Sequence, residues 1–377
     1  MKHRVVLLSL LLMAALFAVA PGATASNTWY ANGATGKDSN NCKSPQTACK
    51  TIGHAVSLAL SGDSIMVAAA TYKENLLITF SLTITGSGAT TTILDGAAAG
   101  TVVTIYSYSN THVTLSGLTI QNGSAFGAGG GIYNAGVLTI NKISIRGNTA
   151  KAGISGAAAG AGIYNDEGTL VVNNSTISGN TAHGGTICEK ACTGSAQGAG
   201  IYNFSYTKQA SLTLNNSTLS GNNAISGKLP SFGGAINGGG SVSINNSTIS
   251  GNSASGTGGI IGAATIQNSI VANNPGGNCA GSVTSKGYNL SSDDTCNFNG
   301  PGDMNSIDPR LGPLQNNGGP TQTMALLPGS LAIDAGNPSG CADGQGHLLK
   351  TDQRGQPRPD KEDAGGCDIG AYERQSD

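Results

Sequence analysis

The placement of acidic residues decides first which chemistry this chain of 377 residues can perform. Hydrolysis of a glycosidic bond by acid–base catalysis needs two carboxyl groups that converge on the bond. Between Glu167 and Asp293 the sequence contains one acidic residue, Glu189. The adjacent Asp166 and Glu167 would point to opposite faces of a strand. The sequence therefore predicts no catalytic residue, and it favours a non-catalytic protein over an enzyme.

Carboxylates accumulate only near the C-terminus, where 13 of the 20 acidic residues lie from Asp293 onward. Carboxylate oxygens are ligands that Ca²⁺ prefers. However, no EF-hand loop and no calcium-binding nonapeptide repeat occurs, and the same groups could instead satisfy loop backbones or Arg354. We predict no metal and no cofactor. Loop-tying calcium is the alternative for six residues: Asp334, Asp343, Asp352, Asp360, Asp363 and Asp368.

The eight cysteines fall into four local pairs, which predicts disulfides in an oxidising compartment. The pairs are Cys42/Cys49, Cys188/Cys192, Cys279/Cys296 and Cys341/Cys367. The close spacing of Cys188 and Cys192 also suits zinc, but only His183 lies nearby and no second tight pair completes the ligand set. Each disulfide would stabilise the fold by about 2–4 kcal/mol.

The N-terminus has the order of a secretory signal peptide: a basic start, the apolar stretch from Val5 to Ala20, and the small residues Ala23-Thr24-Ala25. The alternative, a membrane anchor, needs a longer apolar stretch of about 20 residues. We predict that residues 1–25 are removed. The mature chain would begin near Ser26 and be secreted, without insertion into a membrane, and association with the cell surface stays open.

Overall composition excludes some partners and favours one kind of structure. With 19 basic and 20 acidic residues, the chain is not a polycationic nucleic-acid binder. Lys142 and Arg146 have no acidic cluster around them and are interpreted as solvated surface. The 58 glycines and only 10% charged residues are typical of stacked strands joined by tight turns.

An internal repeat predicts the architecture. Four segments align without gaps, namely Val137–Asn148, Thr169–Asn180, Ser211–Asn222 and Ser241–Asn252, a fifth at Ala263–Asn274 fits loosely, and His112–Asn122 is similar. Their spacings of 32, 42, 30 and 22 residues are explained by a unit of about 22 residues with inserted loops. Apolar residues alternate within each unit, as at Leu138 and Ile140, so one face of each strand is buried. We predict an all-β, parallel β-helix in which successive coils stack their apolar residues into a tubular core.

Recurring asparagines predict ladders of side-chain amides along the helix axis. The two expected columns are Asn141, Asn173, Asn215 and Asn245, and Asn148, Asn180, Asn222 and Asn252. The second column follows glycine in each coil, so these asparagines are expected at left-handed corners. The alternative for the Asn-Asn-Ser-Thr segments is glycosylation, since they also contain sequons. Tyr133, Tyr164 and Tyr202 recur in Gly-Ile-Tyr-Asn and predict an aromatic row, which serves packing or, alternatively, binds sugars.

The ends of the β-helix must be covered because they expose unpaired strand edges. Apolar residues at Ile52, Val56 and neighbouring positions predict a short capping helix between Lys50 and Ser61. Past residue 278, proline and acidic residues become frequent. We therefore divide the mature chain into a β-helix with its cap, residues 26–278, and a loop-rich module, residues 279–377, that closes the C-terminal end.

The C-terminal motifs resemble the choice-of-anchor Q domain, and the coils resemble the right-handed β-helices of the pectin-lyase-like superfamily. The motifs are Gly318–Thr323, Ser330–Gly336, Thr351–Gly355, Arg358-Pro359 and Cys367–Glu373. The resemblance implies an exported bacterial protein whose anchor varies between members, although this sequence shows no wall-sorting motif or membrane tail. It also implies a right-handed helix and a superfamily that includes enzymes cleaving acidic polysaccharides.

We expect an exported, non-catalytic scaffold that presents loops to an extracellular glycan or cell surface, in the manner of an adhesin. The loops interrupt the repeat at Thr149–Gly160, Ala182–Gly198 and Asn223–Phe232. Recognition commonly resides in such loops because a rigid core tolerates their variation. The alternatives are a polysaccharide lyase or glycoside hydrolase and a purely structural envelope component.

Overall fold

A computed structural model of the chain describes residues 26–106, 111–153, 156–185, 194–227, 229–361 and 366–376. Over these residues the protein is a right-handed parallel β-helix whose strands form four stacked parallel sheets. Each coil runs from sheet 1 through sheet 2 and sheet 3 and back to sheet 1, and five coils also pass through sheet 4 between sheets 2 and 3. The predicted fold class is confirmed.

The strands of each sheet lie in chain order along the helix axis. Sheet 1 contains Thr28–Ala31, Ser64–Val67, Leu82–Gly86, His112–Ser116, Val137–Asn141, Thr169–Asn173, Ser211–Asn215, Ser241–Asn245, Ala264–Gln267 and Val283–Ser285. Sheet 2 contains Ala70–Lys73, Thr92–Asp95, Thr119–Gln121, Ser144–Arg146, Thr176–Ser178, Thr218–Ser220, Thr248–Ser250, Ile270–Ala272 and Leu290–Ser291. Sheet 3 contains Leu76–Ile78, Val103–Ile105, Ile132–Asn134, Ile163–Asp166, Ile201–Phe204, Ile236–Gly238, Ile260–Gly262 and Cys279–Ala280.

The repeated segments pair in the register that their alignment predicts. Leu138 pairs with Leu170, which pairs with Leu212, and Ile140 pairs in the same way with Val172. These side chains are at most 1% exposed. Each fully buried aliphatic side chain contributes about 1.5–3 kcal/mol of hydrophobic free energy, so aliphatic residues stacked at each coil stabilise a continuous core.

The left-handed residues at two corners of each coil differ from those expected. One corner lies between sheets 2 and 4, and the other lies between sheets 1 and 2. The left-handed residue before sheet 4 is the glycine, for example Gly179 with φ of 61°, whereas the following Asn180 turns its side chain inward. The prediction of left-handed asparagines in this column is therefore wrong. Asparagine does adopt the left-handed conformation between sheets 1 and 2, as at Asn174 and Asn216 with φ of 48° and 52°. A short polar side chain tolerates that conformation better than other non-glycine residues.

The loop insertions contain strands of their own. Sheet 4 consists of Ser124–Phe126, Thr149–Lys151, Thr181–His183, Asn223–Ile225 and Ser253–Ala254, and a further parallel pair joins Ala158–Ala159 to Ala196–Gln197. The loops were expected to begin at Thr149, Ala182 and Asn223, but these residues belong to strands of sheet 4, and the loops begin only after those strands. Each leaves an adjacent strand of sheet 4, so the described parts of the insertions emerge from the same flank.

The N-terminal end carries the predicted helix, Ile52–Leu58, after a short 3₁₀ turn at Pro45–Thr47. Ile52, Ala55 and Val56 are buried against the first coil. The Thr51 hydroxyl accepts the His54 amide, and the Glu74 carboxylate accepts the amides of Ile52 and Gly53. These contacts satisfy amides that an isolated helix start leaves without partners.

The chain after the last coil follows a different path from the one expected. The final strands of sheets 1 and 2 end at Ser285 and Ser291. Residues 306–361 and 366–376, here called the C-terminal segment, begin with an antiparallel pair, Leu311–Gln315 and Thr323–Leu326, and then contact the outer face of sheet 2. The expectation that this part closes the C-terminal end is therefore wrong for the segment, because its polar side chains bond to several successive coils.

Candidate functional site

Asp166 and Glu167, the two carboxylates of the central coils that the structure describes, are used separately. Asp166 accepts a hydrogen bond from the hydroxyl of Tyr133 on the preceding coil. Glu167 has φ of 51° and binds the next coil, accepting the Thr207 hydroxyl at 2.7 Å. Hydrogen bonds to Thr207 lower the pKa of Glu167. Because Asp166 bonds to the preceding coil and Glu167 to the next one, the two carboxylates do not converge on a shared position where a bond could be cleaved. Glu189 lies outside the described residues.

Three carboxylates of the C-terminal segment accept hydrogen bonds from protein donors. Asp352 accepts the Arg354 guanidinium at 2.7 Å and the Glu373 amide at 3.0 Å. Asp343 accepts the amides of Gln345 and His347. Asp368 accepts the amides of Asp334 and Arg374, and Asp363 lies outside the described residues. This donor set fits a hydrogen-bonded loop network better than a calcium shell, which needs oxygen atoms free to face the ion.

One group of potential metal ligands occurs among the described residues, formed by Cys42, Cys49 and His54. The two sulfur atoms are joined in a disulfide, so they are not available as thiolate ligands. Two further disulfides join Cys279 to Cys296 and Cys341 to Cys367, in the pairs that the sequence predicts. Cys188 and Cys192 lie outside the described residues.

The column of asparagines before sheet 4 forms a continuous ladder. The side-chain amide of Asn148 donates to Asn180 at 2.9 Å, Asn180 donates to Asn222 at 2.9 Å, and Asn222 donates to Asn252 at 2.8 Å. The ladder continues beyond the expected residues through Asn274. All five side chains are at most 4% exposed, so the ladder satisfies polar groups inside the core rather than presenting them to a ligand.

The other expected column is bonded differently at its first coil. Asn245 donates to Asn215 and Asn215 donates to Asn173, at 2.9 and 3.0 Å. Asn141 instead accepts from Asn174, the left-handed residue of the next coil. Lys142 occupies that left-handed position in its own coil, so Asn174 has no amide directly before it and bonds to Asn141.

A third ladder was missed by the sequence reasoning. Asn134 donates to Asn165 and Asn165 donates to Asn203, both at 2.7 Å. The signal was present, because these are the asparagines of the recurring Gly-Ile-Tyr-Asn element. The tyrosine drew attention to the outer face, whereas the asparagine directly after it points into the core as strand alternation requires.

An aromatic row runs along the outer face of sheet 3. The ring centroids of Tyr133 and Tyr164 are 5.5 Å apart and nearly parallel, and those of Tyr164 and Tyr202 are 5.4 Å apart. Tyr106 extends the row at 5.7 Å, and Phe204 lies 5.9 Å from both Tyr164 and Tyr202. Sequence reasoning missed Tyr106, which lies outside the repeat, and Phe204, which shares the face of Tyr202 by strand alternation. The five rings, Tyr106, Tyr133, Tyr164, Tyr202 and Phe204, are called the aromatic row below.

Partial burial raises the pKa of three tyrosines of the aromatic row, Tyr133, Tyr164 and Tyr202. Partial burial and the hydrogen bond with Asp166 raise the pKa of Tyr133 well above its ordinary value. Partial burial, followed by the charge of Asp166, raises the pKa of Tyr164 as well. The rings are half-buried and Tyr106 is 43% exposed. The row therefore offers neutral phenol hydroxyls and aromatic surface beside one carboxylate, an arrangement suited to binding polyhydroxylated ligands.

Loops border the aromatic row on both sides. The insertions that leave sheet 4 lead directly into the strands of sheet 3, and the loop after Phe204 carries Tyr206, which is 85% exposed. On sheet 4 itself, Phe126 is 83% exposed and Ile225 is 41% exposed. Exposed aromatic residues beside inserted loops are typical of recognition surfaces.

The fold defines the chain as a right-handed parallel β-helix protein. No protein-family model and no curated protein matches the sequence. Among solved structures, a pectin methylesterase variant in complex with a hexasaccharide is 14% identical, with 71% of this chain and 80% of that chain covered at a TM-score of 0.32. The pectin methylesterase PemA from Erwinia chrysanthemi is 12% identical, with 69% and 82% covered at 0.27. Within the described residues, no helix combines the length and apolar character needed to cross a bilayer.

Proposed function

We propose that the protein is an exported, non-catalytic β-helix that binds an extracellular glycan or cell surface through the aromatic row and the loops beside it. The observation that carries this proposal is the row of half-exposed rings at intervals of 5.4–5.7 Å along the helix axis. Aromatic side chains offer apolar surface to sugar C–H groups, and their hydroxyls offer hydrogen bonds.

Three further features support export and display. The pattern of residues 1–25 is typical of a signal peptide that directs a chain out of the cytoplasm. The described disulfides suit an oxidising compartment. The resemblance of the C-terminal motifs to the choice-of-anchor Q domain agrees with a protein displayed outside the cell.

Binding of the mature chain, residues 26–377, to glycan arrays and insoluble polysaccharides tests the proposal. Tyr164→Ser removes the central ring and is expected to weaken binding about tenfold, the effect of losing one aromatic contact. Tyr30→Ser is the matched control, since Tyr30 is half-buried on sheet 1, away from the aromatic row. Shortening the loop at residues 226–231 tests the contribution of the insertions.

The proposal is rejected if no glycan or cell surface retains the mature protein. It is also rejected if Tyr164→Ser and the shortened loop both bind as tightly as the unchanged chain. Fractionation of the native host distinguishes a ligand-binding protein from a purely structural envelope component. A structural component would stay with the envelope fraction, and no soluble glycan would release it.

A polysaccharide lyase or hydrolase is the second candidate, and the carboxylate of Asp166 beside the aromatic row is the observation that favours it. Incubation with polygalacturonate and alginate, with and without Ca²⁺, tests for unsaturated products or new reducing ends. We expect neither product. Activity abolished by Asp166→Asn and retained by Glu167→Gln would establish the enzyme instead.

A further inference from the structure

A cavity separate from the aromatic row lies where the C-terminal segment first meets sheet 2. Its volume is about 220 Å³. Thr90, Ser144 and Arg146 line it from the coils, and Asn316 and Gln322 line it from the C-terminal segment. Two parts of the chain far apart in sequence thus form its walls.

The lining carries several hydrogen-bond donors without protein partners. Within the described part of the chain, the guanidinium of Arg146 forms no ion pair and no hydrogen bond, and the side-chain amide nitrogens of Asn316 and Gln322 donate to no acceptor. The hydroxyls of Ser144 and Thr90 are likewise without partners there. A guanidinium presents several N–H donors in a planar fork that matches the oxygen atoms of an oxyanion.

Arg146 faces no acidic side chain among the described residues that line the cavity. Asp95 lies two strands away along sheet 2, in register with Gln121 and then Arg146, a distance of about 10 Å at ordinary strand spacing. Its carboxylate already accepts the amides of Gln121 and Asn122. Arg146 is therefore the one charged side chain of the described lining.

The floor of the cavity is held in place by hydroxyls that are already bonded. Thr119 donates to the carbonyl of Ala89 at 2.5 Å, and Thr321 donates to the carbonyl of Asn174 at 3.2 Å. Thr321 also accepts the side-chain amide of Gln353 at 2.9 Å. The bond from Thr321 to Asn174 holds the docked C-terminal segment against the coils, so the two walls of the cavity are in place before a ligand arrives, while the side chains of Arg146, Asn316 and Gln322 are exposed to solvent.

We infer that this cavity binds a small oxyanion, a carboxylate or sulfate group, with Arg146 as its charged partner and Asn316, Gln322 and Ser144 as neutral donors. The group can arrive as a free ion or as a substituent of a monosaccharide, which the volume accommodates. The site depends on both parts of the chain, because the coils supply the guanidinium and the C-terminal segment supplies the amides.

Calorimetric titration of the mature protein at constant ionic strength tests the inference, with sulfate, acetate, glucuronate and, as the neutral comparison, glucose. Arg146→Gln is expected to weaken binding of sulfate, acetate and glucuronate at least tenfold, since hydrogen bonds to charged groups are the strong ones. Lys151→Gln is the matched control, because Lys151 is an exposed cation of the same coil outside this cavity. Circular dichroism establishes that both variants fold.

Each outcome bears on the inference. Tighter binding of glucuronate than of acetate indicates an oxyanion carried by a sugar, whereas equal binding indicates a free ion, and both support the site. Absence of anion binding, equal affinity for glucose, or unchanged affinity in Arg146→Gln overturns it. Tyr164→Ser should leave anion binding unchanged, so failure of the glycan proposal and failure of this one are distinguishable.

Discussion

At the scale of single residues, asparagine is the side chain on which the interior depends. A buried amide must find both a donor and an acceptor, and stacking one asparagine on the next provides both at every coil. Asn222 shows the full set: it donates to Asn252 and to the carbonyl of Ile177, and it accepts the side-chain amide of Asn180. Removing one member therefore leaves unsatisfied groups on the coils above and below.

Asn222→Ala is expected to lower the free energy of unfolding by at least about 2 kcal/mol, since each buried polar group left without a partner costs about 1–3 kcal/mol. Urea denaturation, with the slope compared between variants, measures the change. Asn223→Ala provides the control, because the adjacent side chain is only partly buried and should change stability by less than about 0.5 kcal/mol. Equal losses in the two variants would contradict a special role for the ladder.

At the scale of elements, the disulfides close loops of very different length. Cys42 and Cys49 are separated by 7 residues, whereas Cys341 and Cys367 are separated by 26 and join two parts of the C-terminal segment. The longer loop loses more conformational entropy when it is closed in the unfolded chain, by about 1 kcal/mol relative to the shorter one. This second bond also lies against Asn268 of the solenoid, which approaches Cys367 at 3.3 Å.

Replacing Cys341 and Cys367 together by serine is expected to destabilise the C-terminal segment by about 2–4 kcal/mol. Limited proteolysis should then cut the segment while the coils stay intact. The double serine variant of Cys42 and Cys49 serves for comparison and should leave the cleavage rate of the C-terminal segment unchanged. Cleavage of the coils at the same rate as the segment would show that the two parts unfold together.

At the scale of the whole molecule, a polar interface joins the C-terminal segment to the β-helix. Gln353 donates to Thr176 at 2.9 Å and accepts from Thr218 at 2.7 Å, so it bridges two coils. Arg358 donates to Asn216 and forms a fully buried ion pair with Glu373 at 2.7 Å. The docked segment covers the outer face of sheet 2. It therefore explains why the outward-facing threonine and serine side chains of three strands, Thr176–Ser178, Thr218–Ser220 and Thr248–Ser250, are buried.

The buried carboxyl groups of this interface predict that docking depends on pH. Desolvation by burial raises the pKa of Asp368 to about 6 and that of Glu373 to about 7, although Arg358 opposes both shifts. The folded state thus keeps protons that the unfolded state has lost, so the contribution of these two groups to docking is largest below about pH 4 and is lost as pH rises through 6 and 7.

Hydrogen exchange of the C-terminal segment between pH 4 and pH 8, corrected for the intrinsic exchange rate, measures this dependence. Asp368→Asn should flatten the part of the profile near pH 6, because an amide does not titrate. Gln345→Glu would leave the profile unchanged, since residue 345 is exposed. Protection that increases with pH in the unchanged protein would contradict the predicted sign.

Periodic residues determined the β-helix, and their sequence alone was sufficient to predict it. Alternating apolar residues such as Leu138 and Ile140 indicate which face of a strand is buried. Asparagines at the same position in each coil indicate the register between coils, because each coil repeats the contacts of the one before. The helix at Ile52–Leu58 was predictable for the same reason, since its apolar spacing describes its own buried face.

Only the tertiary structure decided where non-repeating residues lie. Nothing in the local pattern of Gln353 or Arg358 specifies contact with Thr176 or Asn216, which lie more than 130 residues away. The same holds for the cavity at Arg146, which the sequence presents as solvated surface. Contacts between a periodic element and a unique segment leave no repeated signal, so their partners become known only when the chain is folded.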